Sequence, residues 1–285
     1  MLPRLLVAND LPGLGKVALA SSLPLMAACQ VETAILPTVL LSSHTGGFKQ
    51  LRIDDYTVGM TGFLEQWQNL GIAFDGLVTG YLKNSQQIDL ILEFANAKQL
   101  PLFVDPIMGD KGCFYQGFDQ GHANHMRRLC QNADVIIPNL TEAAFLTKTA
   151  YLEKDYQSSQ VERLLKKLAA LGPSYIVLTG VTFEADKIGL AIYDRTKDKL
   201  VYLMAKHYPQ HFYGTGDILT AILSSAYFRG ISLEKSGRLA LDFLNEVMMT
   251  TLALERDLRY GLCYEPHLLD LIKNYQLLLL LKEKK

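Results

Sequence analysis

The sequence carries no excess of charge of either sign: 28 Lys and Arg against 29 Asp and Glu give a formal charge of -1. Binding along a phosphate backbone requires a surplus of cations to displace counterions, so nucleic acid is not an expected partner. Long apolar runs are missing too. The longest purely aliphatic one, Leu277 to Leu281, falls far short of the roughly 20 residues that cross a bilayer, so no membrane association is expected. Cysteine is scarce and scattered, at positions 29, 113, 130 and 263, without the spacing of a zinc knuckle or a Cys-x-x-Cys redox pair. Reduced thiols and a cytoplasmic location are the expectation. The opening Met1-Leu2-Pro3-Arg4 agrees with it, since it has neither the long apolar stretch nor the small-residue cleavage site of a secretory signal. There is no internal repeat, low-complexity tract or linker, which points to one domain spanning 1–285.

What is present is a 49% hydrophobic chain in which short apolar runs alternate with amphipathic ones. Leu5 to Ala8, Thr33 to Leu41, Asp75 to Tyr81, Leu102 to Asp105, Asp134 to Pro138 and Tyr175 to Thr179 read as buried strands. Helical patterns cover Lys16 to Cys29, Val58 to Leu70, Gln86 to Lys98 and Gln160 to Leu171. In the last, Val161, Leu164, Leu165, Leu168 and Ala169 share one face. Continuously apolar strands alternating with helices predict an α/β protein of three layers, a mostly parallel sheet with helices on both faces. Lys187 to Tyr193 and Lys199 to Lys206 flank the polar turn Asp194 to Asp198 and predict an antiparallel hairpin in the C-terminal half. The chain then reads as helical nearly to its end.

In such folds ligands sit where strands end and helices begin. Gly214-Thr215-Gly216-Asp217 opens the apolar helix Ile218 to Phe228. Its glycines let the backbone approach an anion, the helix start aims unpaired N–H groups at it, and an adjacent carboxylate can take a proton from an attacking hydroxyl. An ordinary helix start with a favourably placed Asp accounts for the tetrapeptide equally well. Asp105-Pro106-Ile107-Met108-Gly109-Asp110-Lys111-Gly112 reads as a magnesium-binding carboxylate followed by a mobile loop whose Lys111 reaches a phosphate, or as a solvated turn. Asn139 and Glu142 have capping-box spacing, and Glu142 can also order a magnesium-bound water. Ser42 to Gly47 is a polar loop suited to a heteroaromatic ligand, or simply a surface loop.

Other features carry less. Gly13-Leu14-Gly15-Lys16 ends like a P-loop but lacks the first glycine and has Val17 where a hydroxyl belongs. His122 and His125, and His207 and His211, have no evident third ligand for zinc. Asp54-Asp55 reads as a turn or helix cap, and Cys113 as a buried or incidental thiol. The leucines of the Leu277 to Lys285 tail read as core.

In this order, Asn9-Asp10 with Gly15-Lys16, Leu36-Pro37-Thr38, Leu41 to Phe48, Phe74-Asp75-Gly76, Gly80-Tyr81-Leu82, Asp105 to Gly112, Pro138 to Glu142, Leu178-Thr179-Gly180 and Gly214 to Asp217 resemble the ribokinase superfamily. More narrowly they resemble its pyridoxal/pyridoxamine kinase branch. The glycine–Asp motif marks the superfamily; the Ser-His-Thr-Gly loop and the Asp-Pro-Ile-Met-Gly-Asp run mark the vitamin B6 branch. The resemblance implies a ribokinase-like fold and ATP-dependent phosphorylation of the 5′-hydroxymethyl group of a B6 vitamer. It also implies Mg2+ with ATP, a monovalent cation such as K+, and a homodimer. It makes Asp217 the base and Gly214, Thr215 and Gly216 the anion hole. Asn9, Asp10, Ser43, His44, Thr45, Gly46 and Tyr81 fall on the substrate side. Asp105, Asn139, Glu142, Thr179 and Lys111 fall on the nucleotide side, with Asp105 and Glu142 handling the metal.

Many pyridoxal kinases have a serine where this chain has Asn9-Asp10, and an acid at position 10 is expected to favour a cationic amine such as pyridoxamine. The nearest rival is hydroxymethylpyrimidine kinase, which typically has Gln-Asn-Thr where Ser43-His44-Thr45 stands here and lacks the Met-Gly-Asp-Lys-Gly run. A sugar or nucleoside kinase would need more polar groups in the N-terminal loops. A non-catalytic B6 or nucleotide binder would not need Asp217, Asp105 and Glu142.

Overall fold

The computed structural model describes residues 2–283. Strand β1 (Arg4–Pro12) leads to helix α1 (Ala18–Ala28), β2 (Glu32–Leu41), β3 (Ile53–Asp55) and α2 (Thr57–Asn69). Next come β4 (Gly76–Thr79), α3 (Ser85–Lys98), β5 (Leu102–Val104), β6 (Gly109–Asp110), β7 (Cys113–Phe114), α4 (Gln120–Gln131), β8 (Val135–Ile136), α5 (Leu140–Thr147) and α6 (Ser158–Ala169). The chain closes with β9 (Tyr175–Val181), β10 (Lys187–Asp194), β11 (Lys199–Lys206), α7 (Thr215–Phe228), α8 (Leu233–Ala253) and α9 (Leu268–Glu283). Two compact units divide it: residues up to Gly76 together with those from Tyr208 onward, and Leu77–His207.

In the first unit β1 pairs in parallel with β2, and β2 antiparallel with the edge strand β3. Leu5 to Ala8 are buried, and so is the run Ile218 to Ala226 of α7. A helix apolar on every side must be enclosed by protein, and α7 packs on both α1 and α8. Helix α1 contains Pro24, which has no N–H for the carbonyl of Ala20. The hydroxyl of buried Tyr264 donates to that carbonyl at 3.2 Å and satisfies it.

In the second unit β4, β5, β8 and β9 are parallel neighbours, and β9, β10 and β11 are antiparallel. The hairpin predicted around Asp194 to Asp198 is β10–β11. Val161, Leu164, Leu165, Leu168 and Ala169 of α6 are all buried, as their spacing requires.

Several local readings are corrected. Asn9-Asp10 does not follow the first strand but lies within β1, where the register with β2 breaks between Asn9 and Leu11. Thr179-Gly180 likewise lies inside β9, opposite a register break in β10. The segment expected as a mobile loop forms the hairpin β6–β7, turned by Lys111 and Gly112 at φ of 51 and 77°; two successive positive φ values match the twist of paired strands. Cys113 sits on this hairpin and is exposed rather than buried. Asp54-Asp55 belong to β3, and Asp55 also accepts from the Thr57 amide at 2.9 Å at the start of α2. Leu277, Leu280 and Leu281 of α9 are more than half exposed, so they are not core; Lys284 and Lys285 lie outside the described residues.

Candidate active site

In the first unit the site grows from the start of α7. Gly214 is its N-cap, at φ 89°, and a Cβ there would stand 2.5 Å from the Lys16 carbonyl oxygen. Only glycine meets both demands. Thr215, Gly216 and Asp217 then occupy the first turn, whose amides have no carbonyl partner within the helix. Asp217 is therefore the third residue of the helix and not its cap. Its carboxylate accepts instead from the Ala18 amide and the Asn9 side chain. Ala18 takes a left-handed backbone, φ 50°, at the first position of α1, and its amide serves Asp217. Backbone held in that sparsely populated region clusters at sites where geometry is enforced from outside.

Burial pushes the Asp217 carboxyl above its ordinary range, opposed by the Ala18 amide, the nearby His44 and the Asn9 side chain. Asp10, 8% exposed on β1, is pushed up to about 7, chiefly by burial and next by Asp217. Two carboxyls in one buried neighbourhood do not both ionise readily.

The Ser42 to Gly47 loop lies in the same unit. Ser43 and His44 are buried, and Thr45 is exposed. His44 Nδ1 accepts from the Gly46 amide at 3.1 Å, and Nε2 faces the Arg259 carbonyl at 2.5 Å. An amide only donates and a carbonyl only accepts, which fixes the proton on Nε2. With both nitrogens engaged, His44 holds the shape of the loop. Tyr213 and Phe48 pack on its ring, each 5.0 Å between centroids, and Arg259 lies over Phe48 and donates to the Gly47 carbonyl at 3.4 Å. The amide of Ala18, Tyr213 and Arg259 were not found in the sequence; only the position of Tyr213, directly before Gly214, offered a signal. The P-loop-like Lys16 is turned elsewhere, paired with Glu265 and placed over the Tyr264 ring.

In the second unit α5 begins with the predicted capping box. Asn139 Oδ1 accepts from the amides of Thr141 (2.8 Å) and Glu142 (2.9 Å), and Glu142 Oε2 accepts from the Asn139 amide at 2.8 Å. The same residues anchor the β6–β7 hairpin. Glu142 Oε1 accepts from the Met108 amide at 3.2 Å, Thr141 Oγ1 from the Gly112 amide at 2.8 Å, and Asn139 Nδ2 donates to the Gly109 carbonyl at 2.9 Å. Phe114 stacks on Phe145 at 3.8 Å. Thr179 is brought to Asn139 by an isolated parallel bridge. Burial, then Asp105, raises the Glu142 carboxyl, against the Asn139 and Met108 amides. Asp105 is buried as well. Two buried carboxyls that repel one another suit a divalent oxygen-seeking cation, and magnesium takes one or two carboxylates with phosphate and water. Lys111 is exposed at the hairpin tip, and Tyr81 packs against Phe118 at 5.3 Å. His122 stacks on Phe118, while His125 lies beside Arg128, His207 against the Ala185 carbonyl and His211 against Tyr213.

Residues 57–260 match the family described as phosphomethylpyrimidine kinase. Among solved structures, the pyridoxal kinase from Lactobacillus plantarum is 35% identical over 100% of this chain and 99% of its own, with a TM-score of 0.88. A phosphomethylpyrimidine kinase-like structure from Bacteroides thetaiotaomicron, solved with pyridoxal, is 29% identical over 95% and 96%, with a TM-score of 0.90. The pyridoxal kinase of Arabidopsis thaliana is 25% identical over 245 residues, 78% of this chain and 77% of that one. The fold is the ribokinase-like α/β fold, and the chain belongs to the phosphomethylpyrimidine kinase family, among the pyridoxal kinases of the ribokinase superfamily.

Proposed function

We propose that this chain is a kinase that transfers the γ-phosphoryl group of ATP to the 5′-hydroxymethyl oxygen of pyridoxal, pyridoxine or pyridoxamine. The observation that carries this is the Asp217 carboxyl, held by Asn9 and Ala18 in the first turn of α7 beside amides with no helical partner. Full-length likeness to a pyridoxal kinase selects the vitamin as acceptor.

Asp217 accepts the hydroxymethyl proton as that oxygen attacks the γ-phosphorus; the bond to the ADP bridging oxygen breaks, and ADP leaves with its electron pair. The amides of Thr215 and Gly216 hold the phosphoryl oxygens as charge develops on them. Asn9 and Ala18 aim the Asp217 carboxylate and oppose the rise that burial imposes on it. The loop shaped by His44 presents Ser43, Thr45 and Gly46 to the ring, with Tyr81 also on the substrate side. Asp105 and Glu142 would hold Mg2+, which would neutralise phosphate charge there. Asn139, Thr179 and Lys111 serve the nucleotide. A monovalent cation, a homodimer and a cytoplasmic location complete the reading by likeness to the family.

The family description favours a second acceptor, the hydroxymethyl group of the thiamine pyrimidine. One ADP-release assay with the three vitamers and the pyrimidine separates the two. The vitamers are expected to be turned over, and Asp217→Ala to lower kcat by at least about a hundredfold with ATP binding retained. Turnover of the pyrimidine alone, or an undiminished Asp217→Ala variant, rules this function out.

A further inference from the structure

The P-loop-like Gly15-Lys16 has a use that its side chains do not show. The Lys16 amide donates to the Tyr260 carbonyl at 3.1 Å, and Lys16 forms an isolated parallel bridge with Gly261. Two glycine backbones approach the Lys16 carbonyl oxygen: a Cβ at Gly214 would stand 2.5 Å from it, and one at Gly261 2.8 Å. Gly261 holds φ 79° and ψ -174°, a backbone region that belongs almost to glycine alone. Lys16 is thus clasped by the start of α7 and by the turn after α8. Two residues on, Ala18 is held at φ 50° and gives its amide to Asp217. The same turn reaches the 42–47 loop, where the Arg259 carbonyl faces His44 Nε2 at 2.5 Å and a Cβ at Gly15 would strike the His44 ring. The turn is itself fixed at both ends. Asp257 accepts from the Arg259 amide at 2.9 Å, and Thr251 Oγ1 of α8 accepts from the Cys263 amide at 2.9 Å.

We propose that Gly261 is a positioning residue for phosphoryl transfer: its bare backbone lets the turn after α8 fix Lys16, and through Lys16 the Ala18 amide that aims Asp217. This rests on the kinase reading given above, and it adds a residue that acts on the base from outside β1, α1 and α7. Any side chain at position 261 must push the Lys16 backbone away or force the turn out of its conformation. Either motion draws the Ala18 amide off the Asp217 carboxylate. Burial raises that carboxyl and the amide opposes the rise, so loss of the amide raises it further. Asp10 from β1 and His44 from the 42–47 loop also act on Asp217, while Lys16 and Arg259 are paired with Glu265 and Asp257.

The test is Gly261→Ala, read by steady-state kinetics with pyridoxal across pH and by the Ala18 amide signal in protein carrying isotope-labelled alanine. kcat is expected to fall at least about tenfold with the KM for ATP within about twofold. The acid limb of kcat is expected to move up by at least about half a pH unit, as a base that ionises less readily requires. In the parent the Ala18 signal should titrate with Asp217, a dependence that Asp217→Asn abolishes; in Gly261→Ala it should titrate at higher pH. An unchanged kcat overturns the proposal. So does a lower kcat with the Ala18 titration unmoved, because the effect then lies in general packing, Asp10 or His44. If Gly261→Ala does not fold, Thr251→Val carries the test. It keeps the side chain's shape, leaves Gly261 in place and frees the Cys263 amide from α8. The same changes are expected there, at about threefold in kcat, and an unaltered Ala18 titration in that variant overturns the proposal. Failure of the kinase reading looks different: the parent turns over no vitamer, while the Ala18 signal still reports on Gly261.

Discussion

At the scale of single residues, the first unit sets two acids of the same type to different tasks through their surroundings. Asp217 has the Ala18 amide and Asn9 to support its charge, whereas Asp10 has little besides its own backbone. That difference is testable without substrate. The Asp10 pKa is about 7 folded against an ordinary 3.8, so the folded state binds this proton more tightly. Its contribution to stability is therefore full below the unfolded value and is lost as pH rises through the folded one. Asp10→Asn, which cannot ionise, should match the parent in the acid range and exceed it above neutrality, by up to about 4 kcal/mol. Urea unfolding of both proteins from acid to mildly alkaline pH measures the difference, in which the titrations of all other groups cancel. A difference that stays flat with pH means that Asp10 is not strained by its charge. Asp217→Asn should shrink the parent's loss and complete it at lower pH, since ionised Asp10 would no longer face an acid.

At the scale of elements, the chain repairs its own irregularities from distant positions. Pro24 removes a hydrogen bond inside α1, and Tyr264, which follows α8 in sequence, returns it to the Ala20 carbonyl at 3.2 Å. Tyr264→Phe should cost about 1 kcal/mol, the usual worth of such a bond. In a Pro24→Ala background residue 24 regains its N–H for Ala20, and the same change should cost little. A double-mutant cycle by denaturant unfolding gives the coupling, expected at about 0.5–1 kcal/mol; additivity would mean that the hydroxyl plays no such part. The hairpin β6–β7 shows the same economy. The residues that cap α5, Asn139 and Glu142, also hold the hairpin's backbone. This double use explains why the capping box was visible in sequence but the hairpin was not. A cap has a fixed spacing along the chain, while two-residue strands carry no period at all.

At the scale of the whole molecule, what could be read in advance was whatever is repeated or local. The long helices, the β10–β11 hairpin, the α5 cap and the glycine–Asp turn have periodicity or turn chemistry of their own. The partners of Asp217 do not, because Asn9 and Ala18 meet it only once β1, α1 and α7 are packed. The exposed leucines of α9 escaped for a related reason, since apolar spacing alone does not say which face is covered. The roles divide along the same lines as the two compact units. The proposed acceptor residues, apart from Tyr81, belong to the unit that contains α7, and the nucleotide and metal residues to Leu77–His207. The proposed function then makes a separable prediction. Glu142→Gln keeps a carbonyl oxygen for the Asn139 amide, so the cap of α5 largely survives, while a charge that would face magnesium is lost. It should raise the KM for ATP and the magnesium needed for half-maximal rate by about 10–100-fold, yet leave the Kd for pyridoxal, measured without nucleotide, within about twofold. Initial rates over a grid of ATP and magnesium concentrations, with calorimetry for pyridoxal, read all three quantities. If Glu142→Gln weakens pyridoxal as much as it weakens ATP, the division of labour between acceptor and nucleotide residues is wrong.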